Sequence, residues 1–309
     1  MRFFLSRRVW GLAGLLVMTA CLFTDAAFAQ SSPNMLLGST RSAKDLSFPS
    51  KAGEPSMFST PEMAIYKPPG EGPFPALVLQ HQCGGLRNGQ WSNQSMLDWA
   101  RKAVARGYVA MIVDSLGQRG VDTVCMGAKG GVTFPRGVRD TLQAAQHLRS
   151  FPFVDKTKIA LAGYSWGAMT AVLASGKRWG TDLADGERFQ AAVAFYPGCF
   201  TIRPPSGQTY EVVHPDIDRP LLVLMGDQDN ETPAAECIPR LQAAKDAGAP
   251  VEWHVYPDTT HCWDCKNLNN FTKTDVRGAQ VVYRYGEAVS RDSEERLFAF
   301  LDKALQLKR

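Results

Sequence analysis

The hydrophobic positions of this chain fall into two alternating kinds of segment. Short, mostly apolar runs recur at Pro75–Gln80, Tyr108–Val113, Lys158–Ala162, Phe189–Tyr196, Pro220–Met225 and Val251–Tyr256. Runs of that length, closed by Gly, Pro or Asp, suit strands buried on both faces of a parallel sheet. A shorter run, Met63–Tyr66, is set off by Lys67-Pro68-Pro69-Gly70-Glu71-Gly72-Pro73 and predicts an edge strand. Between the runs the spacing becomes helical. Ser95–Arg106 carries Met96, Leu97, Trp99, Ala100 and Val104 on one side, with Gly107 placed to cap it. Arg136–Ser150 carries Val138, Leu142, Ala145 and Leu148, and Ser290–Leu307 carries Leu297, Phe298, Phe300, Leu301 and Leu305. Ala168–Ala174 and Ala234–Ala247 complete the helices. The alternation predicts an α/β fold, a mostly parallel central sheet with helices on both faces. Functional loops then belong at the C-terminal ends of the strands. Residues 121–135 read as an irregular rim, and Phe200–Asp218, with Pro204, Pro205 and Pro215, as a surface excursion.

The first 60 residues depart from this pattern. Arg2, Arg7 and Arg8 precede an apolar stretch, Val9–Phe23, and Ala27-Phe28-Ala29 follows as an A-x-A cleavage site. Residues 1–29 are therefore expected to be a secretory signal, placing the mature chain in the periplasm or outside the cell. Ser6-Arg7-Arg8 as a twin-arginine signal and Cys21 as a lipid-anchor site are the variants. Residues 30–60, rich in Ser, Pro and Lys, are expected to be an N-terminal extension tethering one large α/β domain at 61–309. The formal charge of +4 falls by two when Arg2, Arg7, Arg8 and Asp25 leave with the signal. With no basic run, neither nucleic acid nor an anionic membrane is an expected partner, and no second apolar segment could span a bilayer.

The chemistry concentrates at strand ends. Gly163-Tyr164-Ser165-Trp166-Gly167 lies between a strand and a helix, the context that makes G-x-S-x-G a nucleophile elbow. The turn is sharp enough that only glycine suits positions 163 and 167. A serine needs a base, and the base an orienting acid, arriving later in the chain in that fold. Asp229, a short loop beyond Met225, is the expected acid, with Asp227, Glu231 and Asp258 as competitors. His261 is the expected base. His254 lies mid-strand, His147 is helical, His214 sits in the excursion, and His81 reads as a positioning residue. The glycine-rich bend His81-Gln82-Cys83-Gly84-Gly85 after a central strand is where a second oxyanion N–H is expected, from Gln82 or Cys83, beside that of Trp166.

Six cysteines remain beyond Cys21: Cys83, Cys125, Cys199, Cys237, Cys262 and Cys265. An even number in an exported chain suggests disulfides, although six permit 15 pairings. A local bridge between Cys262 and Cys265 or a pairing of these elsewhere, Cys199 with Cys237, and Cys83 with Cys125 are the candidate pairs. His261-Cys262-Trp263-Asp264-Cys265 reverses the haem-attachment order and lacks a second pair for structural zinc. No metal or organic cofactor is expected.

Together these segments resemble the dienelactone hydrolase family of α/β-hydrolases, in particular exported members with a serine nucleophile. The resemblance rests on Leu79–Leu86, Asp114–Gly120, Gly163–Gly167, Phe195–Cys199, Gly226 through Asp229 to Pro233, and Tyr256-Pro257 before His261. It implies a Ser165–Asp229–His261 triad acting on a small ester or lactone. Dienelactone hydrolase itself has a cysteine where this chain has Ser165, and Gln82 stands where related esterases often carry glycine. The family holds acidic lactones with arginine, for which Arg119 and Arg136 are candidates here, with Phe134 and Trp263 as further pocket residues. Cleavage of peptides or thioesters, and a binding protein that has lost turnover, are the alternatives.

Overall fold

The computed structural model describes Met1 and residues 33–205 and 208–308. The signal-peptide and lipid-anchor readings thus fall on residues outside those described. The chain divides into two units, Met1–Ser32 and Pro33–Arg309, and every element below belongs to the second.

Eight strands form the central sheet: β1 (Ala52–Gly53), β2 (Ala64–Tyr66), β3 (Phe74–Gln80), β4 (Val109–Val113), β5 (Val154–Tyr164), β6 (Ala191–Phe195), β7 (Leu221–Gly226) and β8 (Val251–Tyr256). Their order is β1-β2-β4-β3-β5-β6-β7-β8. All neighbours are parallel except β2 and β4. The apolar runs read as strands because alternate residues serve different cores. Val78 and Leu161 face one layer with Val138, Leu142, Met169, Leu183 and Leu241, from α3 (Phe134–Leu148), α4 (Trp166–Ser175), α5 (Lys177–Leu183) and α6 (Ala234–Asp246). Leu77, Leu79 and Ala162 face the other with Met96, Trp99, Leu297 and Phe298, from α2 (Gln94–Ala105) and α7 (Glu287–Ala304). Gly107, at φ +77°, supplies the left-handed turn that releases the chain from α2 into β4.

This winding locates the site. The chain leaves β3 for α2 on one face of the sheet, whereas it leaves neighbouring β5 for α4 on the other. Loops that diverge from adjacent strands open a crevice at their C-terminal ends.

Two peripheral expectations are corrected. Residues 36–53 do not hang from the domain as a tether, whereas 54–60 remain mostly exposed. A short helix, α1 (Pro33–Ser39), and the irregular segment that follows bury Leu36 and Leu46 in the α3 layer. Polar groups seal the segment, since the Gln118 side chain bonds the backbone of Ser47 and Arg119 bonds the carbonyl of Lys44. The excursion after β6 is likewise docked: Thr201–Ile202 pairs with Tyr210–Glu211, and Val212, Val213 and Ile217 are buried. Its prolines break regular structure without preventing burial of the apolar residues that flank them.

Candidate active site

β5 delivers Tyr164, then turns at Ser165 into α4. Ser165 has φ 53° and ψ −112°, a conformation costing a non-glycine residue roughly 1–3 kcal/mol. The surroundings impose it. The Ser165 N–H donates to the Phe195 carbonyl at 3.0 Å, and the Ser165 carbonyl accepts from Met169 at 3.0 Å. A Cβ on Gly163 would overlap the Gly167 carbonyl, and one on Gly167 would overlap the Gln80 carbonyl. Strand and helix therefore close around the serine only with glycine at both positions. Trp166 is the first residue of α4, so its N–H has no partner within the helix. Its indole is stacked between His81, 5.9 Å away, and Phe134, 5.8 Å away.

The loops after β7 and β8 bring two further side chains to the serine. His261 Nε2 lies 3.0 Å from Ser165 Oγ, and Nδ1 lies 2.7 Å from Asp229 Oδ2. The carboxylate next to Nδ1 selects the tautomer with its proton there, leaving Nε2 free to accept from the hydroxyl. Asp229 is fixed in turn: Oδ1 accepts the N–H groups of Glu231 (3.0 Å) and Thr232 (2.8 Å), and the Thr232 hydroxyl lies 2.8 Å from Oδ2. Burial alone would lower the His261 pKa, but the charges of Asp229 and Glu231 and the Asp229 hydrogen bond outweigh it and raise the value. The competing acids have other positions. Asp227 Oδ1 faces the Thr259 N–H, and Asp258 is exposed. Glu231 stands 3.8 Å from His261 Nε2.

His81 is buried and holds the loop after β3. Its Nδ1–H donates to the Gln82 carbonyl at 2.6 Å, and its Nε2 accepts the Ser115 N–H at 3.1 Å. Burial lowers its pKa, which favours the neutral ring that makes both bonds. The Gln82 carbonyl also accepts the Gly85 N–H. Because N–H and C=O are opposed in a trans peptide, the Cys83 N–H points away from that turn. The Gln82 side chain does not enter the cleft. Its amide carbonyl accepts from Asn93 at 2.6 Å, and its NH₂ lies 3.3 Å from the Tyr196 hydroxyl. Tyr196 donates to buried Asp264, which also accepts the Trp99 indole N–H. Burial raises the Asp264 pKa, with these two donors pulling the other way.

All three candidate disulfides are present. Cys83–Cys125 ties the loop after β3 to the rim, Cys199–Cys237 joins the turn after β6 to α6, and Cys262–Cys265 closes the loop behind His261.

Three expected pocket residues are elsewhere. Arg119 spends all five of its N–H groups, on Asp140, the Ser115 carbonyl and the Lys44 carbonyl. Arg136, 1% exposed, is spent on Asp140, Asp45, Gln143 and the Thr40 carbonyl. Neither has a donor left for a substrate carboxylate. Trp263 is fully buried, packed edge-on against Tyr196 and Tyr256 with its N–H on Ser293. Phe134 does reach the site wall, through Trp166.

The sequence reading missed the segment between Cys265 and α7. Thr272–Thr274 and Gln280–Val282 form an antiparallel hairpin that leans on the acid loop. Asn230 bonds the Gln280 carbonyl, and Arg277 bonds the carbonyls of Asn230 and Glu231. Tyr283, just past the hairpin, lies 5.5 Å ring to ring from His261. Its strands are three residues each, too short for an alternation signal.

Comparison with known proteins agrees with this construction. The profile of the dienelactone hydrolase family matches residues 62–305. A putative carboxymethylenebutenolidase of Escherichia coli K12 is 24% identical over 204 residues, covering 63% of this chain and 69% of that protein. Among solved structures, a putative dienelactone hydrolase from Klebsiella pneumoniae superposes with TM-score 0.56 at 19% identity, covering 76% of this chain and 89% of that one. Esterase 2 of Thermogutta terrifontis, phosphorylated by paraoxon, superposes with TM-score 0.54 at 20% identity, covering 77% and 87%. The structural neighbours establish the shared α/β-hydrolase architecture, and the extent of the profile match establishes descent: this chain is an ester-hydrolysing enzyme belonging to the dienelactone hydrolase family.

Proposed function

We propose that the enzyme is a serine hydrolase that cleaves carboxylic esters or lactones through an acyl-enzyme. One observation carries the reading, the unbroken chain from Ser165 Oγ through His261 to Asp229 at 3.0 and 2.7 Å. His261 Nε2 takes the hydroxyl proton as Ser165 attacks the carbonyl carbon, and Asp229 stabilises the imidazolium. The Trp166 and Cys83 N–H groups receive the developing oxyanion. Collapse of the tetrahedral intermediate passes the proton from Nε2 to the departing alkoxide. Water then repeats the sequence on the acyl-enzyme, returning Ser165 and releasing the carboxylic acid.

The test is covalent. A fluorophosphonate probe should label the wild-type protein at Ser165, and Ser165→Ala should lose the label and lower p-nitrophenyl acetate turnover on the order of 10³-fold or more. Turnover retained in that variant would remove the serine from the mechanism. The choice of probe has a precedent in the paraoxon adduct of the Thermogutta esterase. The three disulfides support an exported enzyme, since such bonds persist in oxidising compartments.

A further inference from the structure

The triad leaves one charged group beside His261 without a role. Glu231 follows the acid by two residues, its side chain is 14% exposed, and its Oε2 lies 3.8 Å from Nε2, the nitrogen that faces Ser165. That separation is too long for a hydrogen bond and short enough for a strong charge interaction in a buried site. The carboxylate is held there. Lys273 Nζ contacts Oε1 at 2.7 Å and the Tyr283 hydroxyl donates to Oε2 at 2.8 Å, both from the hairpin region, while Arg277 grips the Glu231 carbonyl. Were the side chain free to swing onto Nε2, it would compete with the serine hydroxyl for the same nitrogen. Pinned by Lys273 and Tyr283, it can act on His261 by charge alone.

Building on the serine-hydrolase reading, we propose that Glu231 is a positioning residue for catalysis, a second carboxylate that stabilises the His261 imidazolium from its Nε2 side. The two carboxylates divide the work. Asp229, hydrogen-bonded to Nδ1, sets the tautomer and ring orientation. Glu231 takes no proton, but favours the state in which the proton from Ser165 rests on Nε2 before passing to the leaving group. Consistent with an ionised group, the Glu231 pKa is lowered: burial would raise it, and the charges of His261 and Lys273 with the bonds from Lys273 and Tyr283 overcome that. Other groups face His261 as well. Lys273 opposes the carboxylates, Tyr196 packs 4.6 Å away ring to ring with Asp264 behind it, and Tyr283 covers the remaining side.

The test is the pH profile of kcat/KM for p-nitrophenyl acetate in wild type, Glu231→Gln, Glu231→Asp and Lys273→Met. Glu231→Gln should lower the plateau about 10-fold, or about 1.4 kcal/mol of transition-state stabilisation. It should also shift the acid limb to lower pH. Glu231→Asp, which keeps the charge, should recover most of both effects. Lys273→Met should move the limb the opposite way, to higher pH. A role confined to folding would depress the rate equally at every pH, so a Glu231→Gln limb superimposable on wild type overturns the proposal whatever the plateau. If that variant does not fold, Lys273→Met decides, and an unmoved or lowered limb refutes the idea. Fluorophosphonate labelling separates the two levels: failure to label wild-type Ser165 defeats the triad reading itself, whereas labelling with an unmoved limb defeats only the role of Glu231.

Discussion

Asp140 is fully buried on α3 and accepts from two guanidiniums, Arg119 at 2.6 and 2.8 Å and Arg136 at 2.8 Å. Their side chains are 3% and 1% exposed. Among the described residues the only other carboxylate on Arg136 is Asp45, whose side chain is 56% exposed, and Arg119 has none besides Asp140. Asp140→Asn preserves shape but removes the compensating charge. Breaking a buried pair by neutralising one partner costs about 3–5 kcal/mol, because the remaining charge stays desolvated. For a domain of this size each kcal/mol is worth about 2–4 °C, so Tm should fall by roughly 6–20 °C. The assay is urea denaturation at neutral pH beside a thermal melt, with KM measured for one neutral ester and one carboxylate-bearing lactone. A midpoint shift at constant m, with the ratio of the two KM values unchanged, is the expected outcome. A destabilisation below about 1 kcal/mol, accompanied by a selective rise in KM for the anionic lactone, would refute it and return the arginines to substrate binding.

Two other perturbations probe the site directly. Gly163→Ala places a methyl group in the Gly167 carbonyl, so the elbow must open; displacement of Ser165 by about 1 Å should cost on the order of 10²-fold in kcat, and wild-type kinetics would contradict the packing account. Since the His261 pKa is raised, the base is lost to protonation at a pH above the ordinary histidine value of about 6.5, and kcat/KM should fall as pH drops through that point. Asp229→Asn removes the largest raising influence and the tautomer control together. Its acid limb should move down and its kcat fall by about 10⁴-fold, and a profile flat from pH 5 to 8 in wild type would discount His261 as the base.

Seven of the eight central strands, the five longer helices and the Ser165–His261–Asp229 cluster were legible in the sequence because each is written locally. Apolar runs such as Leu77–Leu79 report burial on both faces, and Gly163 and Gly167 report the closeness of strand to helix. Chain order singled out the loops after β7 and β8, the short distance beyond Met225 favoured Asp229, and a mid-strand position set His254 aside from His261. Other expectations failed where a side chain's partner is remote in sequence. Arg136 has Asp140 one turn along the same helix, but nothing nearby shows that Arg119 shares that carboxylate or that Asp45 and the Lys44 carbonyl take up the remaining donors. Trp263 beside the base reads as a pocket wall until β6, β8 and α7 close over it.

The amino-acid order by itself determined which of the longer segments become strands and helices, and which loops carry Ser165, Asp229 and His261. Only the tertiary structure decided what surrounds those groups. It docked residues 36–52 against the α3 layer, diverted two guanidiniums into a buried ion cluster, and brought Lys273 and Tyr283 across from a hairpin to hold Glu231 against the histidine. The physical reason is range: periodicity and turn chemistry act over a few residues, whereas desolvation and charge act through space and depend on every element that closes around a group.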